Sequence, residues 1–175
     1  MTWTARTVRS TLLIPNDAPM QLTLFTDYAL RVLMYLGLRE PNAVVTVQEM
    51  SDAYGISRHY LMKVTNELAK HGWVDTTRGR SGGISLGVDL RGLTLGQVVR
   101  TTEPHVGVLD CVNRAESDCP IHAPCRMRGI LGEAQREFER VLDRYTVADL
   151  LESDRALRIR LVIPERPNGA TKLLP

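Results

Sequence analysis

No apolar run approaches the roughly 18 residues that cross a bilayer, so this 175-residue chain offers no sequence basis for membrane insertion. The first 19 residues carry two arginines and no acid before Asp17, and "LLI" is far too short for the core of a secretory leader. A cytoplasmic protein is therefore expected. Neither sign of charge is in excess: the formal net charge is +2 at pH 7, which excludes a uniformly basic coat and leaves room for a local basic patch. No nucleophile elbow, dinucleotide fingerprint or phosphate loop is present, so an enzyme is not expected. Internal repeats are also lacking. Cysteine is scarce, and Cys111, Cys119 and Cys125 all fall in one polar stretch, "DCVNRAESDCPIHAPCRMRG". An odd number of thiols cannot all pair within one chain. In a reducing compartment such a cluster is more often a metal or reactive site than a disulfide framework.

What is present is mostly helical periodicity. Thr26 and Asp27 suit a helix start, and Tyr28, Ala29, Val32, Leu33, Tyr35 and Leu36 recur at helical spacing. The residues before Met20 read as a loose arm, and Met20 is itself a candidate start. Pro41-Asn42 breaks this helix, and "TVQE" at 46–49 has the form of a capping box opening a second one. Gly55 supplies a turn, Ser57 caps a third helix, and Leu61, Val64 and Leu68 form its apolar stripe up to His71-Gly72. Helix, glycine turn, helix is the outline of a helix-turn-helix. Two β-prone runs, "WVDTTRG" and "GISLGV", joined by Arg80-Ser81-Gly82-Gly83, read as a hairpin directly after it, which is a wing. Thr94 then caps "LGQVVRTT".

Beyond the cysteines, Met127, Ile130, Leu131, Ala134, Phe138, Val141, Leu142 and Tyr145 keep helical spacing over about five turns, roughly 30 Å. Nothing C-terminal to this helix has enough apolar surface to cover its stripe, so a second copy of the chain is the simpler cover. "TVAD" at 146–149 begins a short last helix, and the end from Ile163 to Pro175 reads as disordered. The expected fold is mainly α with a small β wing: a winged helix-turn-helix plus a long dimerisation helix. Its parts are an arm (1–19), a winged-helix domain (20–102), a cysteine loop (103–126), the dimerisation helix with a short C-terminal helix (127–152), and a tail (153–175).

The second helix of the helix-turn-helix, starting at Ser57, turns Arg58, His59, Tyr60, Lys63, Asn66 and Lys70 away from its apolar stripe. Arginine and asparagine can bond bidentately to guanine and adenine edges, and lysine and tyrosine suit phosphates. Arg78 and Arg80 sit beside glycines in the wing, where a guanidinium can enter a minor groove or clasp a phosphate. Double-stranded DNA is the partner this order of elements fits.

The cysteines are spaced C-x7-C-x5-C. That is looser than a zinc ribbon or a ferredoxin run, and it leaves open a metal or cluster site, surface thiols, or one disulfide with a thiol left over. A fourth ligand would be needed for either zinc or a cluster. His122, between the last two cysteines, is an obvious candidate for zinc.

"MQLTLFTDYALRVLMYL", "ISRHYLMKVTNELAKHGWVDTTRGRSGGISL" and three cysteines before a long helix together resemble the IscR/NsrR family of winged-helix regulators, and its nitric-oxide-sensing NsrR branch most closely. The resemblance runs from Met20 to about Leu151. It implies a homodimeric repressor with an iron-sulfur cluster, of the 4Fe-4S type, in each half. The implied ligands are Cys111, Cys119 and Cys125, completed by Asp27 of the "FTD" motif from the other subunit. It also implies nitric oxide as the signal, with operator DNA released on nitrosylation. The IscR branch has a histidine three residues after the last cysteine, where this chain has Arg128. The seven-residue gap between the first two cysteines is longer than in several relatives.

Overall fold

In the computed structural model, the described residues are 21–79, 82–104, 107–113 and 119–164. Thr23, rather than Thr26 or Asp27, opens the first helix, α1 (Leu24–Gly37), its hydroxyl accepting the Thr26 amide. Thr26 is taken inward instead, fully buried and hydrogen-bonded to Thr102 at 2.7 Å. The expected apolar stripe is the buried face: Ala29, Val32 and Leu33 are sealed from solvent, and Tyr35 and Leu36 nearly so.

The helix-turn-helix follows as α2 (Val47–Tyr54) and α3 (Arg58–Lys70). Gly55 joins them with φ 66°, a left-handed conformation that costs glycine nothing and most residues a good deal. Only half of the expected capping box at α2 forms. Thr46 accepts the Glu49 amide, but the Glu49 carboxylate turns to the Tyr35 hydroxyl (3.2 Å) and the Arg39 guanidinium (2.8 Å) on α1. A charged partner outbids the Thr46 amide. Leu61, Val64 and Leu68 pack against α1 as the core of the motif.

The wing is β1 (Val74–Thr77) against β2 (Gly83–Leu86), antiparallel, with Val74 opposite Leu86 and Thr77 opposite Gly83. Val45, in the α1–α2 connection, exchanges two 2.8 Å bonds with Ile84 and ties the wing to the helices. Gly83 is required there, because a Cβ would lie 2.6 Å from the Val45 carbonyl oxygen. Helix α4 (Leu95–Thr102) opens on a full capping box between Thr94 and Gln97.

The cysteine segment is not all loop, because a single helical turn, α5 (Asp110–Asn113), carries Cys111. The long helix is α6 (Arg126–Asp143), 18 residues and about 27 Å. Its C-terminal end is clamped to the winged-helix body: Arg100 grips Asp143 at 2.7 and 3.1 Å, and Leu95 N–H donates to the Tyr145 carbonyl at 2.9 Å. "TVAD" does form a reciprocal cap, Thr146 with Asp149, but it opens a 3-10 turn (Ala148–Leu151).

A last helix, α7 (Asp154–Leu161), then lies in the stretch expected as tail. It folds back to Leu38, just past the end of α1. Arg158 is 5% exposed and bonds to Asp154, Leu38 and Pro164, and Ile163, expected to be disordered, is buried in the core, while the rest of that expected disordered end, 165–175, lies outside the described residues. No helix among the described residues is long and apolar enough to cross a membrane.

Candidate functional site

The α3 surface is as the sequence predicts. Leu61, Val64, Thr65 and Leu68 face inward, and Ser57, Arg58, His59, Tyr60, Lys63, Asn66 and Lys70 are all exposed. Ser57 holds the N-cap position but makes no side-chain capping bond, so its hydroxyl is not spent on the helix. Tyr60 rests edge-on against Tyr28 of α1 at 6.3 Å, with the Lys63 ammonium 5.9 Å from its ring. A positive charge held by a ring face keeps its N–H groups available to a phosphate. Met62, 44% exposed on this same helix, was missed in the sequence reading. Its signal is positional: it lies four residues from both Arg58 and Asn66. Arg78 is exposed at the start of the wing turn, where Gly79 has φ 112°, and Arg80 lies outside the described residues.

A second site forms where α1, α4 and the cysteine segment meet. The Glu103 carboxylate, just past α4, accepts both the amide (2.7 Å) and the hydroxyl (3.1 Å) of Thr23. The start of α1 is thus pinned to the point where the chain enters the cysteine segment. One turn into α1, Asp27 is held by its own Arg31, whose Nε donates to both carboxylate oxygens at 3.0 and 2.9 Å. Both side chains are less than half exposed, and such a pair is worth about 1 kcal/mol at most. A metal ion could draw the carboxylate away at little cost.

Behind this pair the Arg31 guanidinium lies 5.6 Å from the Tyr54 ring, and the Tyr54 hydroxyl donates to the Arg31 carbonyl at 3.1 Å. Burial, the largest cause, pushes the Tyr54 hydroxyl up to about 12. Tyr35 is likewise pushed up to about 12, by burial and then by the Glu49 carboxylate.

Cys111, Cys119 and Cys125 are all free thiols, Cys111 and Cys125 half-buried and Cys119 exposed. Cys111 and Cys125 are carried on packed neighbours: α5 lies against α6, and the Arg128 guanidinium, in the first turn of α6, donates to the Cys111 carbonyl at 2.8 Å. Cys125 is the N-cap of α6 but makes no side-chain capping bond. Cys119 is exposed, and its carbonyl accepts the His122 amide at 3.0 Å. The His122 Nε2 is closed off from solvent and has no hydrogen-bond partner among the described residues.

The described residues of one chain do not bring three His, Cys, Asp or Glu groups close enough to hold a metal, and Asp27 is turned to Arg31. Metal sites commonly gather their ligands only as the metal binds. Three thiols are soft donors, which fit an iron-sulfur cluster or zinc better than a hard cation.

Comparison with known proteins bears on both sites. Residues 22–153 match the model of the Rrf2 family, described as an iron-dependent transcriptional regulator. The chain is 41% identical over 142 residues to the HTH-type transcriptional regulator NsrR of Shouchella clausii, covering 81% of this chain and 95% of that one. To the regulator of the same name from Geobacillus kaustophilus it is 42% identical over 139 residues, covering 79% and 95%. Among solved structures, CymR, the global cysteine regulator of Bacillus subtilis, superposes with a TM-score of 0.62 at 21% identity, over 77% of this chain and 98% of that one. At that identity the likeness speaks for the winged-helix fold alone.

Proposed function

Because the chain belongs to the Rrf2 family of transcriptional regulators, we propose that it is a homodimeric DNA-binding repressor that senses nitric oxide through an iron-sulfur cluster. The exposed basic side of α3 carries the DNA part of this reading. Arg58, His59 and Asn66 reach base edges, while Ser57, Tyr60, Lys63 and the wing residues Arg78 and Arg80 take the phosphates. The exposed stripe of α6 supports the dimer: Met127 is 56% exposed, Ile130 59% and Phe138 47%. A second α6 would bury it and set the spacing of two half-sites.

Cys111, Cys119 and Cys125 would hold the cluster, of the 4Fe-4S type, with Asp27 of the partner subunit as the remaining ligand. A cluster bound this way supplies one iron whose oxygen ligand is harder and weaker than a thiolate, and which is therefore open to a small diatomic. This chain's own residues do the coupling. Asp27 is the turn of α1 that faces Arg31, Arg31 rests on Tyr54, and Tyr54 is the last residue of α2, directly before the turn into α3. Drawing Asp27 off Arg31 alters the contact that seats the helix-turn-helix.

The test is anaerobic purification, with absorption spectra and operator binding measured before and after nitric oxide. The wild type should be brown, bind operator, and lose both colour and DNA on exposure to the gas. Ala at any of the three cysteines should abolish both properties. Asp27→Ala should stay coloured and bind operator poorly, since three thiolates remain. Colourless wild-type protein with stoichiometric zinc would refute the cluster.

A further inference from the structure

His122 occupies the middle of a short symmetric segment, Cys119-Pro-Ile-His122-Ala-Pro-Cys125, with two residues between it and each thiol. The turn that begins at the Cys119 carbonyl carries its ring inward, where Nε2 is screened from solvent. Buried polar atoms in folded proteins are almost always hydrogen-bonded, so a nitrogen sealed without a partner marks a place where a group belongs. The described residues of the metal-free chain offer it no acceptor, oxygen or sulfur. The groups that flank it in the chain are sulfurs.

Two roles fit an imidazole between thiolates: metal ligand, or N–H donor to sulfur. A histidine that ligates metal almost always has its second ring nitrogen fixed by a carboxylate or carbonyl. No hydrogen bond from Nδ1 of His122 to a described residue supports that role. Resting on the cluster reading above, we propose that His122 donates its Nε2–H to a sulfur of the site, thiolate or sulfide, and is a tuning residue rather than a ligand. Hydrogen bonds to the sulfurs stabilise the more negative state of a cluster and raise its reduction potential. Withdrawing charge from the sulfur also makes its iron a poorer electron donor to an incoming diatomic. His122 thereby sets how readily the site reacts, while the cysteines and Asp27 set whether it forms.

The experiment uses the full chain as wild type, His122→Ala and His122→Gln, each loaded anaerobically with iron and sulfide. Iron and sulfide per chain, reduction potential and melting temperature with and without the cluster are measured. The proposal expects full iron and sulfide in both variants, a more negative potential in His122→Ala, and partial return in His122→Gln, whose amide is also an N–H donor. Melting of the cluster-free chain should be unchanged or raised by His122→Ala, because the nitrogen it removes has no partner there. An unchanged potential in a fully loaded His122→Ala overturns the proposal and leaves the cluster reading intact. Loss of iron in that variant overturns it in favour of ligation, and equal destabilisation of the loaded and cluster-free chains overturns it in favour of a packing role. A wild type that takes up no cluster overturns both this proposal and the reading beneath it.

Discussion

The winged-helix half and the α6 half of this chain bury their apolar residues to opposite degrees. In the first, Val32, Leu33, Leu61, Val64 and Leu68 are wholly sealed, and Val147, Ala148, Leu151 and Ile163 come back from the far end of the chain to complete the same core. In the second, the only residue of the 18-residue α6 that is buried is a glycine, Gly132, while Met127, Ile130, Phe138 and Val141 stand in solvent. Amphipathic periodicity is equally plain in both. The difference teaches that periodicity states which face will be buried, and not whether the chain itself supplies the cover.

The strongest way to break this comparison is to damage each half in turn. Phe138→Asp places a charge in the proposed seam, where an unpaired buried carboxylate costs several kcal/mol. The dimer should dissociate in sedimentation, with operator binding lost. Circular dichroism of the resulting monomer should still show a cooperative melt, because the winged-helix core is untouched. Leu33→Ala should do the reverse, lowering unfolding free energy by about 2–5 kcal/mol through the cavity it leaves, as read from urea midpoints. A stable Phe138→Asp dimer would show that the stripe is covered in some other way.

A smaller effect sharpens the contrast by pH. Tyr35 and Tyr54, both in the winged-helix half, are pushed up to about 12 by burial. In the unfolded chain they ionise near pH 10. The folded state therefore holds their protons more tightly, and the stability this represents is complete below pH 10 and is lost as pH rises toward 12. Urea midpoints should fall over that window, and Tyr54→Phe should flatten the fall.

The smallest expected effect concerns the exposed face of α3. Lys63→Ala removes one phosphate contact, so binding should weaken on all sequences and the slope of log K against log salt should drop by about one unit. Neither the melt nor the dimer should change. An unaltered slope would take Lys63 out of the interface.

Much of the DNA-facing architecture is legible in the sequence, since each step has a local cause. Gly55 and Gly72 follow helices in left-handed conformations, and Thr94 caps α4. The misreadings share a different cause. Thr26 looked like a cap and is a buried partner of Thr102, 76 residues away, and Glu49 left its capping role for Tyr35 and Arg39. The ligand roles proposed for the three thiols and Asp27 come from the family resemblance, since residue type and spacing alone leave several fates open for the thiols. The Arg31 clasp on Asp27 sits at plain i, i+4 spacing and was readable, whereas the sealed nitrogen of His122 was not.

The sequence by itself determined α1 to α4, the wing and α6, their order and the chemistry they expose, though not α5 or α7: α3 with its basic side, the wing, three thiols ahead of an amphipathic helix. Those follow from periodicity, capping and turn residues, which act within four or five positions of one another. Only the tertiary structure decided that Arg158 reaches Leu38 just past α1, that Ile163 joins the core, and that Glu103 pins the start of α1 beside the cysteine segment. Those depend on residues tens of positions apart meeting across a packed interior. No local propensity encodes such meetings, because the free energy of burial belongs to the pair of surfaces and not to either one.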